Sequence, residues 1–77
     1  MNNVTVYTTN SCPFCVMIKN FLNDQQIPFK EVNVEENPQL MLELVNKTGQ
    51  MGVPQTEING EWVVGFDPQG ILRALSR

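Results

Sequence analysis

The chain reads as an α/β domain: a mixed four-stranded sheet flanked by three helices, in the order β-α-β-α-β-β-α. Three observations predict this. Short β-branched and aromatic runs alternate with amphipathic segments of helical length. Pro13, Pro38 and Pro68 each stand where such a segment begins, the helical position at which a missing N–H leaves nothing unpaired. Asn59-Gly60 lies between two strand-like runs, a strong signal for a two-residue type I′ hairpin. Strands joined through a helix run parallel and the hairpin adds antiparallel pairing, so the sheet is mixed.

Val4-Thr5-Val6-Tyr7-Thr8 is the first, largely buried strand. A helix follows from Pro13 to about Asp24. At ~100° per residue, Phe14, Met17, Ile18, Phe21 and Leu22 gather on one side, opposite Lys19, Asn20, Asn23 and Asp24. Residues 28–34 alternate well enough to form the second strand. Asn37 then caps a helix beginning at Pro38, with Leu40, Met41, Leu44 and Val45 as its apolar stripe, Lys47 favouring its C-terminal end and Gly49 closing it. Gln55-Thr56-Glu57-Ile58 and Glu61-Trp62-Val63-Val64 are the hairpin strands. Asp67-Pro68 starts a last short helix carrying Ile71, Leu72 and Leu75.

Seventy-seven residues leave no room for a second core, so residues 1–77 are expected to be one domain. An apolar fraction of 42% against 17% charged residues indicates a folded chain. Five bases are scattered among eight acids for a net charge of −3, which argues against nucleic acid and anionic membrane as partners. Histidine is absent, removing Cys–His catalysis and the commonest metal ligand. No run approaches the ~20 apolar residues of a membrane span. The start, "MNNVTVYTT", lacks the basic and apolar regions of a signal peptide. A cytoplasmic monomer is expected, in a compartment where a cysteine pair is more often catalytic or metal-binding than structural.

Both cysteines fall in "NSCPFCVM". Three readings compete. A structural disulfide between Cys12 and Cys15 would close a four-residue loop, roughly 2 kcal/mol by chain entropy, and would tie no distant elements together. A metal site needs about four ligands, so a zinc or iron–sulfur site would require a homodimer built on Cys12 or added glutathione. In the redox reading, Cys12 at a helix start gains from unpaired N–H groups and the positive end of the dipole, which stabilise a thiolate. The helical wheel sets Cys12 beside Lys19 and Asn23 on the polar side and Cys15 on the shoulder of the apolar stripe. Cys12 then attacks a substrate disulfide and Cys15 resolves the intermediate. Lys19 reads as a solvated surface residue.

"YTTNSCPFC" after the first strand, "GVPQTEING" before the hairpin and "VVGFD" at the last helix together resemble the glutaredoxin-like proteins. These include the small NrdH-type redoxins that donate electrons to ribonucleotide reductase. The resemblance covers essentially the whole chain. It implies a thioredoxin fold, a redox-active Cys12–Cys15 disulfide with Pro13 and Phe14 inside the motif, and no bound cofactor or metal. It also implies a cis Val53-Pro54 loop whose backbone pairs with an extended substrate, and a partner-facing Gly65, Phe66 and Asp67. Read without the family, proline commonly begins a strand and Asp67 is simply a helix cap.

Departures from the family pattern bear on the reductant. Glutaredoxins meet the carboxylates of glutathione with a basic residue before the active-site turn and another before the cis-proline. Thr9 and Met51 hold those places here, and Gly52 stands where threonine is usual. Each lost charge-assisted bond weakens binding by ~1.5–3 kcal/mol. Asp67, which in glutaredoxins receives the glutathione amino group, is kept; the reductase-donor redoxins usually carry arginine there. Their Trp-Ser-Gly-Phe spacing is stretched to Trp62-Val63-Val64-Gly65-Phe66. The expectation is a dithiol oxidoreductase of protein disulfides, recycled by thioredoxin reductase, with a glutathione-dependent glutaredoxin as the alternative.

Overall fold

The computed structural model describes residues 3–50 and 52–76. The elements follow in the predicted order: β1 (Val4–Thr8), α1 (Pro13–Asp24), β2 (Lys30–Asn33), α2 (Pro38–Thr48), β3 (Gln55–Ile58), β4 (Glu61–Val64) and α3 (Pro68–Leu75). The sheet order is β2-β1-β3-β4. β1 runs parallel to β2 and antiparallel to β3, and β3 and β4 form the hairpin. This is the mixed sheet of a thioredoxin-like fold. β2 is shorter than residues 28–34 because its pairing with β1 spans only Lys30 to Asn33. Asn59 and Gly60 both have positive φ, 51° and 91°, as a type I′ turn requires.

Alternation along the strands sorts the side chains into two faces. Val4, Val6, Ile58 and Val63 point to one face and pack with Ile18 and Leu22 of α1 and Ile71 and Ala74 of α3 in a single core cluster. Tyr7 and Trp62 lie on the other face, their ring centroids 5.5 Å apart across β3. Glu43 of α2 and Glu57 both raise the Tyr7 pKa, behind partial burial of the phenol as the main cause. No helix among the described residues is long and apolar enough to cross a membrane.

The caps behave as local chemistry demands, with one exception. Gly49 ends α2 in the left-handed region at φ 72°. Asp67 caps α3 through a bond from the Gly70 N–H. Asn37 stands at the predicted cap of α2, but its side chain makes no capping bond; its carbonyl accepts the Leu40 N–H instead.

The helix faces differ from the predicted stripes. In α1 the buried line is Cys15, Ile18 and Leu22, while Phe14 is 57% and Met17 44% exposed. The helix is rolled toward Cys15, so the predicted centre of the stripe becomes its rim. In α2 only Leu44 is fully buried. In α3 Ile71 and Ala74 face the sheet, and Leu72, one ~100° step from Ile71, is turned to solvent.

Candidate active site

β1 delivers the chain to residues 9–12 at the edge of the core, and three side chains hold that turn in place. Glu35 accepts the Asn10 N–H at 3.2 Å and the Asn10 side-chain amide at 3.1 Å. Asn33 Nδ2 donates to Asn10 Oδ1 at 2.7 Å, and Asn33 Oδ1 accepts the Glu35 and Glu36 N–H groups. The turn before Cys12 is thereby clamped to the loop after β2. Sequence reasoning missed this clamp, since its partners lie more than twenty positions away along the chain.

Cys12 is the N-cap of α1, with extended backbone at φ −142° and ψ 93°. Its Sγ accepts the Cys15 N–H at 3.1 Å, and its carbonyl accepts the Val16 N–H at 3.2 Å. Pro13 follows as the first helical residue. Cys12 stands outside the helix as its N-cap, so the helical wheel does not govern where its side chain points. Lys19 is bound across to β2: its Nζ lies 3.0 Å from Glu31 Oε2. It is therefore an ion-pair partner rather than a free solvated lysine.

Cys12 and Cys15 are joined in a disulfide with Cα atoms 5.2 Å apart, within the usual span for such a bond. The extended backbone at Cys12 brings its sulfur closer than two helical neighbours at i and i+3 would come. The two thiols sit in different surroundings. Cys12 is partly exposed at the helix start; Cys15 is 1% exposed within the buried line of α1. A sulfur that already accepts a helix N–H is placed where a thiolate is stabilised.

At Phe14, within the motif, opens a groove of about 330 Å³ lined by Phe14, Val53, Pro54, Gly65 and Phe66. The Val53-Pro54 bond is cis. The Pro54 carbonyl accepts the Gly65 N–H at 2.8 Å, which joins the two walls. Gly65 has φ 81°, a conformation that an L side chain adopts only under strain. Five of the predicted site residues thus meet in one uncharged groove next to the motif. Asp67 does not line it; its carboxylate is turned to the Gly70 N–H. The Met51 position, weighed for a basic residue, lies outside the described residues. Among the described residues no group of three or more His, Cys, Asp or Glu side chains is arranged to hold a metal ion.

Comparison with known proteins agrees with this geometry. The family model described as glutaredoxin matches residues 4–63. A glutaredoxin of Pseudomonas aeruginosa is 38% identical over 77 residues, covering 100% of this chain and 88% of that protein. The glutaredoxin-like protein NrdH of Lactococcus lactis subsp. cremoris is 43% identical over 49 residues, 64% of this chain and 62% of its own. Among solved structures, the NrdH-redoxin of Escherichia coli superposes with a TM-score of 0.82 at 27% identity, covering 92% of each chain.

Proposed function

The chain belongs to the glutaredoxin family of thiol–disulfide oxidoreductases, and from that premise we propose that it reduces protein disulfides with Cys12 as attacking thiol and Cys15 as resolving thiol. The observation that carries this reading is the asymmetry of the pair: a partly exposed, helix-capping Cys12 and a buried Cys15, with an uncharged groove lined by Phe14, which lies between them in the chain.

In the first step the Cys12 thiolate attacks one sulfur of the substrate disulfide. A Cys12–substrate mixed disulfide forms, and the other substrate sulfur leaves as a thiolate that takes a proton from water. Cys15 then loses its proton to solvent and attacks Cys12 Sγ. The Cys12–Cys15 disulfide forms and the second substrate thiol leaves. Two electrons pass from the protein to the substrate. Phe14, Val53, Pro54, Gly65 and Phe66 receive the polypeptide flanking the substrate disulfide, with Asp67 behind the Gly65–Phe66 wall.

A flavin-dependent thioredoxin reductase returns the two electrons in preference to glutathione. Three features support this. The groove lining holds no charged side chain to meet a glutathione carboxylate. Thr9 is uncharged, and the Lys19 amine is engaged by Glu31. The Escherichia coli NrdH-redoxin, a structural neighbour, is described as having a thioredoxin-like activity profile. Ribonucleotide reductase is one disulfide substrate of the class this site accepts. The protein acts as a single-domain cytoplasmic monomer with no bound cofactor.

The test is insulin reduction with NADPH, supplying either thioredoxin reductase or glutathione with its reductase. Turnover is expected with thioredoxin reductase, lost in Cys12→Ser, and replaced by an accumulating mixed disulfide in Cys15→Ser. Efficient turnover only with glutathione overturns the reductant assignment. Loss of first-step reactivity in Cys15→Ser reverses the two roles. Stoichiometric zinc or iron in anaerobically purified protein, with no dithiol turnover, replaces the proposal with a metal-bridged homodimer.

A further inference from the structure

Gln55 follows Pro54 directly and is 0% exposed. Its side-chain Nε2 donates to two backbone carbonyls, Gln50 at 3.0 Å and Gly52 at 2.8 Å. Its Oε1 has no partner among the described residues. A buried amide with an unpaired acceptor is unfavourable, and a methionine or leucine of similar size would avoid that loss. Packing therefore does not explain the residue. The donor end of the amide does, since it alone is used, and both its hydrogens go to the segment that leads into Val53-Pro54.

That segment is held from three directions. Thr48 Oγ1 accepts the Gln50 N–H at 3.1 Å and donates to the Leu44 carbonyl at 2.9 Å, joining the segment to α2. The Gly65 N–H reaches the Pro54 carbonyl from beyond β4. Gln55 supplies the third hold, from within the sheet: its backbone pairs with Tyr7 on one side and Val64 on the other. A surface connection would otherwise leave its carbonyls to water and sample several conformations. Tied to β3 by one amide, it becomes part of the frame on which the groove is built.

We propose that Gln55 is a positioning residue for protein-disulfide reduction, fixing the Val53-Pro54 wall so that the groove it forms with Phe14 exists before the substrate arrives. This rests on the functional reading above. Gln55 does not line the groove, so its effect is on the fraction of molecules competent to dock. Apparent affinity falls in proportion to that fraction; a drop to about one tenth raises KM about tenfold. The Cys12 sulfur and its bond from the Cys15 N–H are untouched, so kcat stays.

The experiment compares wild type with Gln55→Met, which keeps the volume and removes both donors. Insulin reduction with NADPH and thioredoxin reductase is expected to show KM raised about tenfold with kcat within about twofold. Alkylation of reduced Cys12 by iodoacetamide, which needs no groove, should keep its wild-type rate within about twofold. Amide hydrogen exchange at Gly52 and Val53 should quicken about tenfold. An unchanged KM overturns the inference, as does a parallel change of KM and alkylation rate, which is general loosening. Should Gln55→Met not fold, Gln55→Asn, whose amide is drawn back by one methylene, carries the same KM comparison with the same criteria. A wild-type protein that reduces no insulin overturns the functional reading itself, an outcome distinct from a working wild type with an indifferent Gln55→Met.

Discussion

Glu31 joins three elements through one oxygen. Its Oε2 accepts the Thr8 hydroxyl of β1 at 2.9 Å and the Lys19 ammonium of α1 at 3.0 Å. The Lys19 bond, then the Thr8 bond, hold its pKa below the ordinary 4.5 against a smaller opposing effect of burial. A carboxyl with a lowered folded pKa adds stability that is fully present above its unfolded value, near 4.5. That stability is lost as pH falls through the folded pKa. The side chains are 29% and 39% exposed, so water screens the pair and its worth is about 0.2–1 kcal/mol. Glu31→Gln is therefore expected to be less stable than wild type by that amount at pH 7, seen as a lower urea midpoint. The gap should close as pH falls below 4.5. A gap that stays constant down to pH ~3, well under the ordinary carboxylate range, would mean that the acceptor oxygen rather than the charge is what Glu31 contributes.

At the scale of elements, α3 shows how one cap supports a short helix. Asp67 accepts the Gly70 N–H at 3.1 Å, and a side chain at position 70 would collide with that carboxylate. Asp67→Ala is expected to cost about 1 kcal/mol, which for a chain of this size lowers Tm by about 4–8 °C; Asp67→Asn, an equally good cap, should keep the wild-type Tm. Equal losses in both variants would show that the charge rather than the cap matters. This cap was legible in the sequence because its chemistry spans only a few residues. The same holds for Pro13, Pro38, Gly49 and the Asn59-Gly60 turn. Helix faces were legible only to within a residue or so. A stripe of five apolar residues in α1 is compatible with several rolls of the helix, and the sheet chose the one centred on Cys15, Ile18 and Leu22. The Asn10–Asn33–Glu35 clamp and the Lys19–Glu31 pair were not legible, because no period or spacing records a contact between segments distant along the chain.

The whole molecule divides α1 between two tasks, and the division can be measured. Ile18 is 0% exposed in the core that α1 and α3 share with the sheet. Phe14, one turn earlier, is 57% exposed on the groove rim, with Val16 and Met17 exposed nearby. Seventy-seven residues support a total stability of only about 4–12 kcal/mol. Ile18→Ala removes about 2–5 kcal/mol of that, so Tm should fall by roughly 8–40 °C. Phe14→Ala removes little buried area, and its Tm should stay within about 5 °C of wild type, the scale of surface substitutions. Function should respond in the reverse order. Phe14→Ala strips an aromatic wall from the groove and should raise KM for insulin several-fold. Ile18→Ala, assayed well below its Tm, should keep a KM near wild type because the rim is intact. Thermal unfolding by circular dichroism and the insulin assay on the same two proteins decide the matter. If Phe14→Ala melts as early as Ile18→Ala, the ring belongs to the core. If its KM is that of wild type, substrate does not use this rim, and the apolar surface around the disulfide needs another explanation.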